Sequence, residues 1–403
     1  MKVLHTSDWH IGKRFHGVNL LDEQIRFGEW LLKTSLEESV EVVLIAGDLY
    51  DVVQPSGKAV RVLDSIFNSL LQAGIQIVCI TGNHDSAQRL SFGNMAMSEG
   101  GLHLSAESPD LDDVGKPITI EGAQGEKIQV VPVPYLNPFR VTNHDLDDVT
   151  HQSLVESVLD RARDEVEDPQ RTIVMGHGFF AGGSNDTVEE TGSERRLSVG
   201  GEDRIGFHVL KGWGYVALGH LHRHQEFDQG RIAYSGSPLP MSFSEEHQKF
   251  VRIIDCGDSI TPLAPIAIPD EVVRPVKTIT AELEHVVEMT GSSDWVRVVL
   301  ADDERLLEVI HSTQVVANVA IRQPELVQCL CQANLVARLA PKHKALLKGL
   351  DGLAHFARLV VNTAEREEAR GFLVVVIQLP AQLQALQAML DRLIVVAIGR
   401  TRE

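Results

Sequence analysis

Glu41-Val42-Val43-Leu44-Ile45-Ala46-Gly47-Asp48-Leu49-Tyr50-Asp51 joins an unbroken apolar run to a glycine and two carboxylates. A strand with one wet face alternates apolar and polar residues; this run does not, so it predicts a strand buried on both faces, as in sheets covered by helices. The carboxylates that follow are costly to bury unless something pairs with them. The same arrangement recurs on either side. Val3-Leu4-His5 leads into Asp8-Trp9-His10, and Ile75-Gln76-Ile77-Val78-Cys79-Ile80 leads into Gly82-Asn83-His84-Asp85. Between these strands, residues 22–40 carry Ile25, Trp30, Leu31, Leu32 and Leu36 at helical spacing, and residues 57–72 carry Val60, Leu63, Ile66, Phe67, Leu70 and Leu71. Strands alternating with helices predict an α/β layered domain.

Further strands are predicted at 128–133, 171–175, 214–218 and 231–234. Two of them end in the same manner, at Gly176-His177-Gly178 and at Gly219-His220-Leu221-His222. The stretch 104–126 reads as loop and turn, and 181–206 as a long surface loop. The proline-punctuated segment 261–275 is the best domain boundary. Beyond it, 295–300 and 315–321 read as strands around a helix at 303–312, 342–370 as largely helical, 372–377 as a strand and 381–396 as an amphipathic helix. The expected division is therefore 1–270, 271–340 and 341–403.

A chain of 403 residues with 43% hydrophobic and 23% charged side chains is a soluble globular protein of two or three domains. It begins without an apolar segment of signal-peptide length and has no uncharged run of about 18 residues, so the expected location is the cytoplasm, away from membranes. Four cysteines are too few for a disulfide scaffold. The net charge is −19, and residues 1–300 alone carry −20. That composition excludes a protein that grips nucleic acid by Lys and Arg alone. Thirteen of the 17 histidines lie in residues 1–250. If the substrate is a phosphate polyanion, metal ions, a local basic groove or a partner must supply positive charge.

Ligands of open α/β sheets bind at the carboxyl ends of the strands, and here five strand ends deliver Asp, His and Asn. In Asp8-x-His10 and His220-x-His222 the paired side chains lie two apart, on one face of an extended segment. Carboxylate, amide and imidazole donors together suit Mn²⁺, Fe²⁺ or Zn²⁺ better than Ca²⁺, and the lack of cysteine among them speaks against a structural zinc site. Each motif alone is weak, since Asn and Asp favour turns for backbone reasons. Five in this order, each after an apolar strand, are specific.

The order Asp8-x-His10, Gly47-Asp48-x-x-Asp51, Gly82-Asn83-His84-Asp85, Gly176-His177, Gly219-His220-x-His222 resembles the signature of the calcineurin-like metallophosphoesterase superfamily. Leu4-His5-Thr6-Ser7-Asp8-Trp9-His10-Ile11-Gly12, Ala217-Leu218-Gly219-His220-Leu221-His222-Arg223 and Tyr234-Ser235-Gly236-Ser237-Pro238-Leu239-Pro240-Met241-Ser242-Phe243 further resemble its branch of DNA-repair nuclease subunits. The likeness spans roughly residues 1–270. It implies a four-layer sandwich with a smaller C-terminal α/β cap and a helical segment. It also implies two divalent ions, expected to be Mn²⁺: one on Asp8, His10 and His222, the other on Asn83, His177 and His220, with Asp48 bridging. His84 would face the scissile phosphate as the catalytic histidine. Asp51 would support a ligand, and Asp85 would orient His84 or its loop.

The activity implied is cleavage of DNA ends and hairpins, by a homodimer bound to a coiled-coil ATPase in a heterotetramer, serving DNA repair and recombination. The 271–340 region would cap the site, and helices beyond 341 would either bind the partner or pack within the chain. Ser235-Gly236-Ser237-Pro238 reads equally as a backbone clamp near the metals or as a plain turn. Arg195, Arg196, Arg204 and Arg223 read as solvated surface sooner than as DNA contacts, and Cys329-x-Cys331 lacks a second pair. Two other functions compete: hydrolysis of a small phosphodiester or nucleotide on the same motifs, and a catalytically idle binding scaffold, against which the complete ligand set speaks.

Overall fold

The structure is a computed structural model that describes residues 1–182, 188–191, 194 and 204–281, and the strands Trp295–Leu300, Val309–Ile310, Val316–Val319 and Val374–Ile377. The apolar runs become the parallel centre of a first sheet: β1 (Lys2–Thr6), β2 (Val40–Ala46), β3 (Gln76–Ile80) and β4 (Leu102–Ser105). A second sheet is built alike, from β5 (Ile118–Glu121), β6 (Lys127–Val133), β7 (Thr172–His177), β8 (Tyr215–Gly219), β9 (Gln225–Phe227) and β10 (Ile232–Tyr234). Its order is β9-β10-β8-β7-β6-β5, with parallel pairing in the middle and antiparallel pairing at both edges. The chain then returns to the first sheet as β11 (Phe250–Cys256), antiparallel to β1, followed by β12 (Ile260–Pro262).

Among the described residues, the three longest helices cover the sheets: α1 (Leu21–Glu37), α2 (Gly57–Gln72) and α3 (His151–Glu165). Ser56 caps α2 by accepting the Ala59 N–H, and Thr150 with Ser153 forms a capping box on α3. Strand β2 explains the layering. Its Val42, Leu44 and Ala46 meet Val130, Ile173, Met175 and Ala217 of the other sheet in one buried cluster. On the far side of the second sheet, Val131, Val174 and Val216 pack against Leu154, Val158 and Leu159 of α3. The result is an α/β sandwich with its sheets face to face.

Several expectations need correction. The stretch 104–126 contains β5, whose Ile118-Thr119-Ile120-Glu121 is too short to stand out yet pairs with β6. Helix α3 and strand β11 come in addition to the expected elements. Residues 309–310, expected within a helix, form a strand antiparallel to Val316–Val319. Strands do occupy parts of 295–300, 315–321 and 372–377. The expected helices at 342–370 and 381–396 lie outside the described residues, as does most of the 181–206 loop. The chain divides into two compact units, Met1–Pro275 and Val276–Glu403. Among the described residues no helix is long and apolar enough to cross a membrane.

Candidate metal centre

Parallel register sets the level of the site. Thr6 pairs with Ile45, Ala46 with Ile80, and His177 with Gly219, so the strands end together at one carboxyl edge. Backbone bonds then lock the following loops to each other: Asp8 N–H donates to the Gly47 carbonyl at 3.0 Å and His10 N–H to that of Asp48 at 3.0 Å. Asp8, His10, Asp48, His177, His220 and His222 are all buried, whereas Asn83 and His84 are half-buried. Among the described residues, three groups bring donor atoms within 4.8 Å of one another: Asp8 with His10 and His222, Asp8 with Asp48 and His177, and His10 with Asp48 and His84.

The hydrogen bonds around the ligand set decide where its lone pairs point. His177 Nδ1–H donates to the Ala46 carbonyl at 2.8 Å, which leaves a bare Nε2 facing Asn83 Oδ1 at 3.1 Å and Asp48 Oδ2 at 3.6 Å. Asn83 Oδ1 also lies 3.2 Å from His220 Nδ1. His222 Nδ1 lies 3.3 Å from the Glu245 carboxylate, so its Nε2 likewise faces inward, 3.3 Å from His10 Nε2. His10 Nε2 in turn is 3.5 Å from Asp48 Oδ2, and its Nδ1 has no hydrogen-bond partner among the described residues. His177 Nε2 and Asn83 Oδ1 thus meet as two acceptors, an arrangement that a cation between them would satisfy. The donor set fits divalent metal.

Burial works on these groups in opposite senses. It pushes the Asp8 carboxyl up to about 6 and draws His10 down to about 4 and His220 well below the ordinary imidazole range. At Asp48 burial opposes ionisation, but His177, His10, His84 and the His84 backbone N–H outweigh it and hold the carboxylate well below its usual range. Neutral His10 and His220 beside an ionised Asp48 are the protonation state that metal binding requires, whereas at His222 burial is outweighed by Glu245, Asp8 and Glu194, which raise its pKa.

The backbone is bent to achieve this. Asp8, His10, Asp48 and His220 have φ of 55°, 44°, 51° and 104°, a region where non-glycine residues cost energy and which clusters at functional sites. Gly82 and Gly219 are needed for close approach: a Cβ would collide with Asp48 Oδ1 at the first and with the Ala46 carbonyl at the second.

The remaining candidates sit around this cluster. His84 donates its backbone N–H to Asp48 Oδ1 at 2.9 Å and its Nδ1–H to the Asp51 carbonyl at 2.8 Å. The Asp51 carboxylate takes the Lys13 ammonium at 2.9 Å and lies 3.6 Å from His10 Nδ1. Asp85 accepts the N–H groups of Leu49, Tyr50 and Gly82, at 3.0, 3.0 and 2.9 Å, tying two loops together. Sequence reasoning missed Glu245, Lys249, Ser7 and Glu194, which touch Asp8 or His222. Nothing in Ser244-Glu245-Glu246-His247 distinguishes the buried glutamate from its exposed neighbour.

A family model of calcineurin-like phosphoesterases matches residues 1–224. Among curated proteins, the SbcCD nuclease subunit of Staphylococcus epidermidis is 30% identical over 298 residues, covering 72% of this chain and 74% of its own. Among solved structures, one of a novel archaeal phosphodiesterase aligns with 66% of this chain and 100% of its own, at 13% identity and a TM-score of 0.31. That loose match bears on nothing further.

Proposed function

The chain belongs to the calcineurin-like phosphoesterases, and from that premise we propose that it is a Mn²⁺-dependent DNA nuclease subunit. It degrades double-strand ends and opens single strands and hairpins, working with an SbcC-like coiled-coil ATPase in DNA repair and recombination in the cytoplasm. The observation that carries this reading is the likeness to an SbcCD nuclease subunit over 298 residues, longer than the family match itself. Two copies would join two ATPase subunits, with 271–340 as a cap and 341–403 as the partner-binding region.

In this reading Asp8, His10 and His222 hold one divalent ion, Asn83, His177 and His220 hold another, and Asp48 serves both. Bound there, the pair supplies the positive charge that a −20 region lacks and lowers the pKa of water toward neutrality. The chain does the rest. Donation of Nδ1–H to the Asp51 carbonyl fixes the His84 ring and leaves Nε2 as its working atom, which in the protonated form donates to the leaving oxygen. Asp51 steadies His10 and the His84 ring, and Asp85 holds the two loops that carry Asp48 and His84.

The test uses purified protein, MnCl₂, an end-labelled DNA hairpin and bis-p-nitrophenyl phosphate. Hairpin cleavage should require Mn²⁺, fall about 10²–10⁴-fold in His84→Ala with metal retained, and disappear with metal binding in Asp48→Ala. Turnover of the small ester with intact DNA, even after a candidate ATPase is added, would replace the nuclease by a small-substrate phosphoesterase.

A further inference from the structure

We propose that Glu245, anchored by Lys249, is the positioning residue of His222 and sets the affinity of one metal position but not the other. The inference rests on the two-metal reading above. Glu245 and Lys249 have side chains 0% and 5% exposed, four residues apart, while Glu246 between them is exposed. Burying an ion pair is seldom a route to stability; here both members of the pair reach His222. Glu245 Oε1 faces His222 Nδ1 at 3.3 Å and accepts from Thr191 Oγ1 at 3.4 Å. Its Oε2 accepts from Lys249 Nζ at 2.5 Å, the Met241 N–H at 3.2 Å and Ser237 Oγ at 3.4 Å. Lys249 Nζ also donates to the His222 carbonyl at 3.3 Å, so one ion pair grips both the ring and the backbone of that residue.

The Ser235-Gly236-Ser237-Pro238 turn joins the same device. Ser237 N–H donates to the His222 carbonyl at 3.1 Å, and Gly236, at φ +79°, leaves no room for a Cβ, which would stand 2.8 Å from that oxygen. The two inward-facing histidines are thus oriented differently. His177 leans on a neutral backbone carbonyl, that of Ala46, whereas His222 leans on a buried carboxylate. A carboxylate partner makes a stronger, charge-assisted bond and raises the basicity of the far nitrogen. The two positions should therefore respond unequally to loss of Glu245.

Manganese binding to the full chain, followed by electron paramagnetic resonance and calorimetry, tests this, with circular dichroism melts as the check on folding. Wild type is expected to bind two ions. Glu245→Gln should lose about 10–100-fold in affinity at one position, the one abolished in His222→Ala, and keep the other. The double variant Glu245→Gln/Lys249→Met removes both charges at similar volume, so it should fold even if the single variant does not, and show the same one-sided loss. Unchanged affinities in a folded variant would overturn the proposal, as would an equal loss at both positions, which marks a merely structural role. Wild type binding fewer than two ions would instead overturn the metal-centre reading, and this proposal with it.

Discussion

His5 and His10 are five residues apart, and both are buried, but they serve different ends. His5 is enclosed by Tyr215 Oη at 3.0 Å and the Leu218 carbonyl at 3.2 Å, and burial lowers its pKa to about 3. The unfolded chain takes up that proton near pH 6.5, so the contribution of neutral His5 to stability is complete above pH 6.5 and fades as pH falls toward 3. In EDTA, urea unfolding should show wild type losing on the order of 2–4 kcal/mol more than His5→Gln between pH 7 and 4. A parallel pH dependence of the two would contradict this. The sequence assigns His5 no role, and none could be read there: its partners lie 210 and 213 residues away. Asp8, His10, Asp48, Asn83, His84, His177, His220 and His222 are legible because each directly follows an apolar strand, and that local grammar marks a site without requiring its geometry.

Elements built from unbroken apolar runs are the easiest to read. Strand β2 lies in the sandwich interior, and Leu44, fully buried between the sheets, should cost about 2–5 kcal/mol when replaced by Ala. Ser56→Ala, which removes only the cap of α2, should cost about 1 kcal/mol; urea denaturation at neutral pH distinguishes the two. Strand β11 is hidden in the sequence because Arg252 interrupts Phe250-Val251-Arg252-Ile253-Ile254. The guanidinium is nonetheless buried, paired with Glu226 and bonded to Tyr215, and such partners make its burial tolerable. Strand β5 exists because β6 offers it an edge, a condition local sequence does not contain.

At the scale of the molecule, every residue of the candidate centre falls in the unit Met1–Pro275. A chain ending at residue 275 should therefore fold, give an α/β circular dichroism spectrum and bind manganese as the full chain does; an insoluble or metal-blind fragment would contradict that. The sequence by itself determined the α/β class, the order of the early strands and helices, and which side chains gather at the strand ends. These rest on periodicity and on the cost of exposing apolar runs, both local properties. Only the tertiary structure decided that two sheets close face to face, that the Nε2 atoms of His10 and His222 lie 3.3 Å apart, and that Glu245 is buried while Glu246 is not. Those outcomes depend on which distant strands become neighbours, because a charge can be buried only where the fold delivers its partner.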